Sequence, residues 1–440
     1  MDGLTIALIM GVMLLAFIFS GFYLFAALGG VAIISGLIFW GPEVLQLTFF
    51  SIFKYCKDYG LLAVPLFVLM GQLLNQSGVA GRLFDNLSLA LGRQRGGIAV
   101  AATLIAILFA ATTGIVGASV TSMGLLFTKP MLDAKYNKSL TAGVIISGGT
   151  LGILIPPSIM LVFMGSAGNV SVGKLFYGAM IPGLLLGIAY ISYVKIVAVA
   201  KKDYAPPMPA AELNKYSKWQ IAKGCIVNVV PVAVVIFSVL GAIWLGWCPA
   251  TEAAALGVLA SFLIALFTHS ITPAVIKKTL IESIKLTSMV YAISAFGNLF
   301  VTVFMRLGCS SAVTSLFASL PLNKWGMFAI MMGVVFILGF LMDWIAVCMI
   351  TIPIFLPIAT AIGFDACYFL TMMAIIMQTA FLSPPMAASI FYFQGVAGDK
   401  ISTSETIKGV WPFMGIQLVV FVLCVAFPSI VNWLPGMVVG

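Results

Sequence analysis

Charge is what this sequence has least of. Only 8% of its 440 residues are Asp, Glu, Lys or Arg, against 62% hydrophobic. A water-facing domain carries roughly 25% charged residues, so a single soluble globule is excluded. Histidine is nearly absent, with His269 alone, and the seven cysteines (56, 225, 248, 309, 348, 367 and 424) form no CxxC pair. A zinc site or a Cys/His nucleophile therefore lacks its residues, and cysteines scattered through apolar helices read as small packing residues. The chain has no P-loop lysine signature, no GxSxG and no HExxH, so nothing points to an enzyme. Alternating polarity is missing too. An outer-membrane barrel needs ~10-residue alternating segments, whereas the apolar runs here are continuous. The start, MDGLTIALIMGVMLLAFIFSG, lacks the basic residues and cleavage site of a signal peptide and reads as a retained first helix.

What is present is a series of apolar runs, at about 4–20, 22–40, 61–75, 98–128, 140–164, 175–200, 225–247, 253–268, 286–304, 327–342, 344–364, 366–382 and 410–434. About 20 such residues cross a bilayer as a helix, which predicts an all-α polytopic membrane protein. The 43 Gly and 20 Pro lie inside these runs, which suggests broken helices rather than linkers. The net charge of +9 then reads as cytoplasmic loops, not nucleic-acid binding. Six of the 22 Lys and Arg fall between Lys195 and Lys223, which places the basic, proline-containing linker at 201–224 on the cytoplasmic side. Two segments, 79–95 and 273–286, set apolar residues against a charged face. They fit helices lying in the headgroup plane and equally fit ordinary helix ends.

An internal repeat organises the chain. Gly78 aligns with Gly308, Pro130 with Pro357, Pro156-Pro157 with Pro384-Pro385, and Ile181-Pro182 with Trp411-Pro412, at offsets of 227 to 230. The expected organisation is scaffold helices over 1–59, a first repeat over 60–200, the linker, scaffold helices and an arm over 225–289, and a second repeat with a C-terminal helix over 290–440. An odd number of crossings per repeat unit would invert the copies.

Each copy contains two interruptions. In the first, 109–131 (FAATTGIVGASVTSMGLLFTKPM) carries Gly114, Gly117, Gly124 and several small hydroxyl residues. Twenty-three residues at 1.5 Å each cross the bilayer once but not twice. They fit a re-entrant hairpin with its tip near 114–119, or one straight helix with a small-residue face. The second interruption, within a broken helix at about 140–164, is SGGTLGILIPPS (147–158), where Pro156-Pro157 removes backbone donors and Gly149 and Gly152 permit unwinding. Freed carbonyls there must face protein, water or an ion, and a half-helix N-terminus suits an anion. The second copy repeats the pair, with a hairpin at about 334–360 and a broken helix at about 366–395 containing QTAFLSPP. Asp343 is the one carboxylate in a long apolar run; Na+ coordination, proton carriage and helix capping are all open to it. Arg306 and Lys129 fit snorkelling at span ends, and Glu252 fits the first turn of a helix.

The blocks SGGTLGILIPPSIMLVFMG (147–165), CPATEAAALG (248–257), GFLMDWIAVCMITIPIFLPIATAIGFD (339–365) and FLSPPMAASIFYFQG (381–395) resemble the large membrane subunit of tripartite ATP-independent periplasmic (TRAP) transporters over nearly the whole chain. More distantly, the paired hairpins and broken helices resemble divalent-anion/Na+ symporters of the ion transporter superfamily. The first tip reads ATTGIVGASV where the family commonly has SGSS, which looks more like the branch labelled mannitol/chloroaromatic compound transporters. The resemblance implies two inverted repeats, an elevator-type mechanism in the bacterial inner membrane, Na+ as coupling ion with no other cofactor, a periplasmic substrate-binding protein and a small four-helix membrane subunit. Starting directly on the first large-subunit helix, the chain is expected to use a separate small subunit. Carried over by position, the Na+ candidates are Thr113, Gly114, Gly117, Ser119, Gly148, Gly149, Thr150, Pro156, Asp343, Trp344, Gln378, Thr379, Ser383 and Pro384. The substrate candidates are Ser119, Pro157, Ser158, Ala346 and Pro385. The leading expectation is Na+-coupled import of a small organic carboxylate or sulfonate. A stand-alone anion symporter or antiporter, coupled to Na+ or H+, is the alternative, and a membrane enzyme or scaffold a third.

Overall fold

The structure is a computed structural model and describes residues 1–113, 116–209, 213, 215–384 and 387–437. Among the described residues it is helical with no strand. The helices are α1 (Gly3–Phe19), α2 (Leu24–Phe39), α3 (Glu43–Cys56), α4 (Ala63–Gln76), α5 (Val79–Leu91), α6 (Gly97–Thr113), α7 (Val116–Asp133), α8 (Lys138–Thr150), α9 (Ile159–Gly168) and α10 (Val172–Ala200). After the linker come α11 (Lys218–Trp244, with a π turn at Phe237–Gly241) and α12 (Ala250–Phe267). The rest are α13 (Pro273–Arg306), α14 (Cys309–Ser319), α15 (Lys324–Leu341), α16 (Trp344–Ala361), α17 (Ala366–Ala380), α18 (Ala388–Ala397), α19 (Thr403–Ala426) and α20 (Ser429–Met437). Among the described residues seven helices are long and apolar enough to cross a membrane, or eight with the bent α3–α4 pair. Polar caps start several runs: Asn137, Ser171, Asn323, Asp343 and Asp365 each accept a backbone N–H in the following first turn, and Ser217 and Ser402 form capping boxes with Gln220 and Glu405.

The repeat is visible in the elements. Helix α5 follows Gly78 and α14 follows Gly308, and both glycines have left-handed backbone, at φ 70° and 73°. A residue with a Cβ is disfavoured there, which explains why glycine marks both copies. From this anchor the order is the same: an arm (α5, α14), a helical pair (α6–α7, α15–α16), a broken helix (α8–α9, α17–α18) and a long helix with an internal proline (α10 with Pro182, α19 with Pro412). The repeat also reaches further back than residue 60. Helices α3 and α4 correspond to the single 34-residue α13, with a 58° bend between them in the first copy and none in the second. Residues 273–286 are therefore the first half of α13 and not a separate arm.

The two ends of the bundle follow from contacts between turns. At one end the linker binds back: Met208 N donates to Gly92 O (2.8 Å), Gly96 N to Ala205 O (3.0 Å) and Asn137 N to Tyr204 O (2.8 Å). Ser270 Oγ donates to Ser77 O at the same end (2.9 Å). At the other, Cys367 Sγ contacts Lys174 O (3.3 Å), Lys324 Nζ donates to Gly363 O (2.6 Å) and Tyr59 Oη to Glu252 Oε1 (2.7 Å). The pair α6–α7 thus opens at the linker end and α15–α16 at the far end, so the copies are inverted.

Three boundaries differ from the sequence expectation. The hairpins begin at Gly97 and Lys324, not at 109 and 334: their first arms fill the apolar runs that start at 98 and 327, whereas the expected bounds centre on the Gly-rich and Asp-marked tips. With arms of 17 and 18 residues, each about 26 Å long, length alone does not make the first hairpin re-entrant; the position of its tip does, as shown below. The first break begins after Thr150. Gly148 and Gly149 remain helical in α8, where a Cβ would come within 2.7 Å of Ala106 and within 3.0 Å of the Val120 backbone. These glycines serve close packing rather than unwinding.

Helices α8 and α19 make a similar seam: a Cβ on Gly409 would strike the backbone carbonyl of Ser139, whereas Gly415 on the same helix faces open space. Gly409→Val is expected to destabilise the protein by about 1–3 kcal/mol or more, and Gly415→Val to stay within about 0.5 kcal/mol, measured by thermal denaturation in detergent.

Candidate functional site

Both tips and both breaks meet at one place. A cavity of about 560 Å³ is lined by Val116 and Gly117 from the first tip, Asp343 and Trp344 from the second, and Ile153 and Phe381 from the two breaks. A helix end beside a mid-helix break lies at the depth of that break, so both hairpins are re-entrant and enter from opposite ends. From the tips the cavity runs toward the linker end, past Asn75 and Gln76 of α4, Leu125 of α7, and Lys278 and Glu282 of α13. A second space of about 140 Å³ lies behind the second tip, between Gly339, Asp343, Met377 and Phe381.

The packing exchanges elements between copies. The first hairpin touches its own broken helix through Val120 against Gly149, and the other copy through Gly117 against the Tyr392 ring of α18. The second hairpin does likewise: Gly339 meets Ala380 of its own break, while Trp344 sits edge-on to Phe163 of α9, ring centroids 5.5 Å apart. Between the copies Gln378 Nε2 donates to Thr150 Oγ1 at 3.4 Å. These residues are 228 positions apart, the offset of the two Pro-Pro pairs, so they are equivalent across the repeat.

Side-chain hydroxyls take up backbone carbonyls at both breaks. Ser158 Oγ donates to Ile153 O at 2.6 Å and accepts from Leu161 N, closing the first gap and capping α9. Pro156 and Pro157, joined by a cis peptide, form the buried turn before it. In the second break Ser389 Oγ donates to Phe381 O, and Ser383 Oγ to Thr379 O (2.7 Å). Thr379 Oγ1 donates to Ile376 O and Thr150 Oγ1 to Ser147 O (2.8 Å). A hydroxyl whose proton is committed to a carbonyl keeps its oxygen lone pairs for another partner. The Gln378 side chain is 0% exposed and its Oε1 has no partner among the described residues.

Of the sequence candidates, Gly117, Asp343 and Trp344 line the main cavity. Ser119 is buried at 3% exposure just behind the first tip, and Thr150, Ser158, Gln378, Thr379 and Ser383 are buried in and between the breaks. Ala346 is buried one turn into α16 and does not line the cavity, and Pro384 is exposed. Gly114, Pro385 and the side chain of Thr113 lie outside the described residues. Asp343 caps α16, with Oδ2 accepting from Ile345 N at 3.1 Å. Among the described residues no Lys, Arg or His forms an ion pair with it. Glu252 stands in the first turn of α12 as expected and accepts the Tyr59 hydroxyl. Arg306 lies 5.7 Å over the Trp40 ring. Sequence reasoning missed the scaffold side of the cavity. Gln72, Asn75 and Gln76 form a polar stripe at helical spacing on apolar α4, and Lys278 and Glu282 lie one turn apart on α13. Both stripes lie at helical spacing, the only trace of them in the sequence.

Inverted repeats whose interrupted helices surround a mid-depth cavity define a polytopic membrane transporter. The family model described as the tripartite ATP-independent periplasmic transporter, DctM component, matches residues 3–430. The chain belongs to this family, the large permease proteins of TRAP transporters. It is 33% identical to the C4-dicarboxylate TRAP transporter large permease protein DctM of Pseudomonas aeruginosa, over 91% of this chain and 92% of that one. It is 27% identical to the isethionate TRAP transporter permease protein DctMQ of Oleidesulfovibrio alaskensis, over 89% of this chain and 60% of that longer protein. In fold it is similar to the Alcanivorax borkumensis YdaH transporter, with TM-score 0.60 and 13% identity over 89% and 91% of the two chains.

The hydroxyl account makes a direct prediction. Ser158→Ala removes the donor to a buried carbonyl and the cap of α9, and is expected to lower stability by about 1–3 kcal/mol. Ser158→Thr, which keeps the hydroxyl, is expected to retain most of it, as read by thermal melting of the purified protein.

Proposed function

We propose that this chain is the membrane-embedded cargo path of a Na+-coupled, binding-protein-dependent symporter that imports a small organic anion. The observation that carries the proposal is the convergence of two tips and two breaks on one cavity beside Asp343, a carboxylate with no cationic side chain paired to it among the described residues. Such a group at membrane depth is costly. A cation about 4 Å away would offset it by about 4 kcal/mol at an effective dielectric of 20. Na+ takes oxygen ligands from unwound backbone and half-helix ends, and the region offers Asp343, the committed hydroxyls and the bare Gln378 Oε1.

Only five of the 22 Lys and Arg residues, Lys54, Lys57, Lys174, Arg306 and Lys324, fall at the far end. By the positive-inside rule the linker end is cytoplasmic, and a cavity running to that end is in its release state. An elevator motion would carry the two hairpin-and-broken-helix units, locked together by their exchanged packing, past the scaffold of α4 and α13. The relatives support a bacterial inner-membrane setting, a periplasmic binding protein and a small membrane subunit; in the DctMQ relative the permease is one longer chain.

Asp343→Asn tests the coupling. Asn caps a helix as well as Asp, so folding is expected to persist, while Na+-stimulated uptake into vesicles supplied with the binding protein falls at least about tenfold, roughly 1.4 kcal/mol. Unchanged Na+ dependence would leave Asp343 as a cap only.

A further inference from the structure

The cavity wall constrains the charge of its cargo, an inference that rests on the transport reading above. Among the described lining residues the charged side chains are Lys278, Glu282 and Asp343. Glu282 is already paired with Lys285 at 3.1 Å, and Asp343 repels an anion. Lys278 has no ion-pair partner among the described residues. One cation is therefore open to an incoming anion. Of the amides, Asn75 Nδ2 is committed to Ser122 Oγ at 2.7 Å. Gln72 and Gln76 of α4 stand on the same scaffold side as Lys278, with Thr121 and Ser122 on α7, while the inner end is apolar and aromatic, with Trp344, Phe381 and Tyr392, and Leu125, Met289 and Val290 lie along the sides. At that inner end a carboxylate without a cationic partner is strongly disfavoured, and hydroxyls facing it lose their partners.

We propose that the cargo is a monoanionic organic acid with an apolar body, rather than a dicarboxylate, and that Lys278 sets this charge specificity. The carboxylate meets Lys278 on the scaffold side while the body lies against the aromatic inner end. A volume of about 560 Å³ is ample for one ring or a short chain, since small-molecule sites span about 300–1,000 Å³.

The test uses the full-length permease in nanodiscs, with thermal stabilisation measured against rising hexanoate, cyclohexanecarboxylate or succinate, with and without Na+. In Na+ the two monocarboxylates are expected to stabilise saturably, with apparent affinity at least about tenfold above that of succinate. Lys278→Gln should weaken both by about tenfold or more, and Lys278→Arg, which keeps the charge, should restore most of the loss. Succinate binding as tightly as the monocarboxylates, no stabilisation by any of the three, or an unaffected Lys278→Gln would each overturn the cargo assignment. Anion binding indifferent to Na+ would instead count against the coupled-transport reading, so the two failures are distinguishable.

Discussion

A helix interrupted away from water must find partners for the backbone groups it frees, and the whole arrangement depends on how the two breaks do so. Ser158 reaches back to Ile153 O, and Ser389 and Ser383 reach Phe381 O and Thr379 O. In each of these bonds the hydroxyl supplies the proton and keeps its oxygen lone pairs for another partner. Pro156 and Pro157, which lack backbone N–H groups, prevent the first helix from simply re-forming across its gap.

Inversion turns two such breaks into one site. Each hairpin seals its own broken helix and also grips the half-helix of the other copy, Gly117 against Tyr392 and Trp344 against Phe163. With Gln378 and Thr150 joined across the middle, the two units are tied at their centres. The scaffold helices α4 and α13 contribute polar stripes to the cavity rather than breaks.

Much of this was legible in the sequence because prolines, glycines and a lone carboxylate are conspicuous in apolar runs. Gly78 and Gly308 marked the repeat because their backbone is left-handed, and Asp343 marked the second tip. The first hairpin arms start where the apolar runs at 98 and 327 start, but nothing inside those runs tells an arm of a hairpin from a straight span. Gly148 and Gly149 misled because a glycine that permits unwinding and one that permits close approach look alike until the neighbours, Ala106 and Val120, are known. The scaffold wall was hidden for another reason. Lys278 and Glu282 lie on a segment whose charged face also fits a headgroup helix, and only the packing of α13 shows that the face looks onto the cavity.

Accessibility at the first tip tests the central claim most directly. Ala118 lines the cavity beside Gly117. As a single cysteine in a cysteine-free background, it should react with a membrane-impermeant thiol reagent from the linker side in Na+-free medium and be protected when Na+ and a transported anion are added. A cysteine there that reacts from neither side, or whose reactivity ignores Na+ and anion alike, would contradict a mid-depth site built from two broken helices.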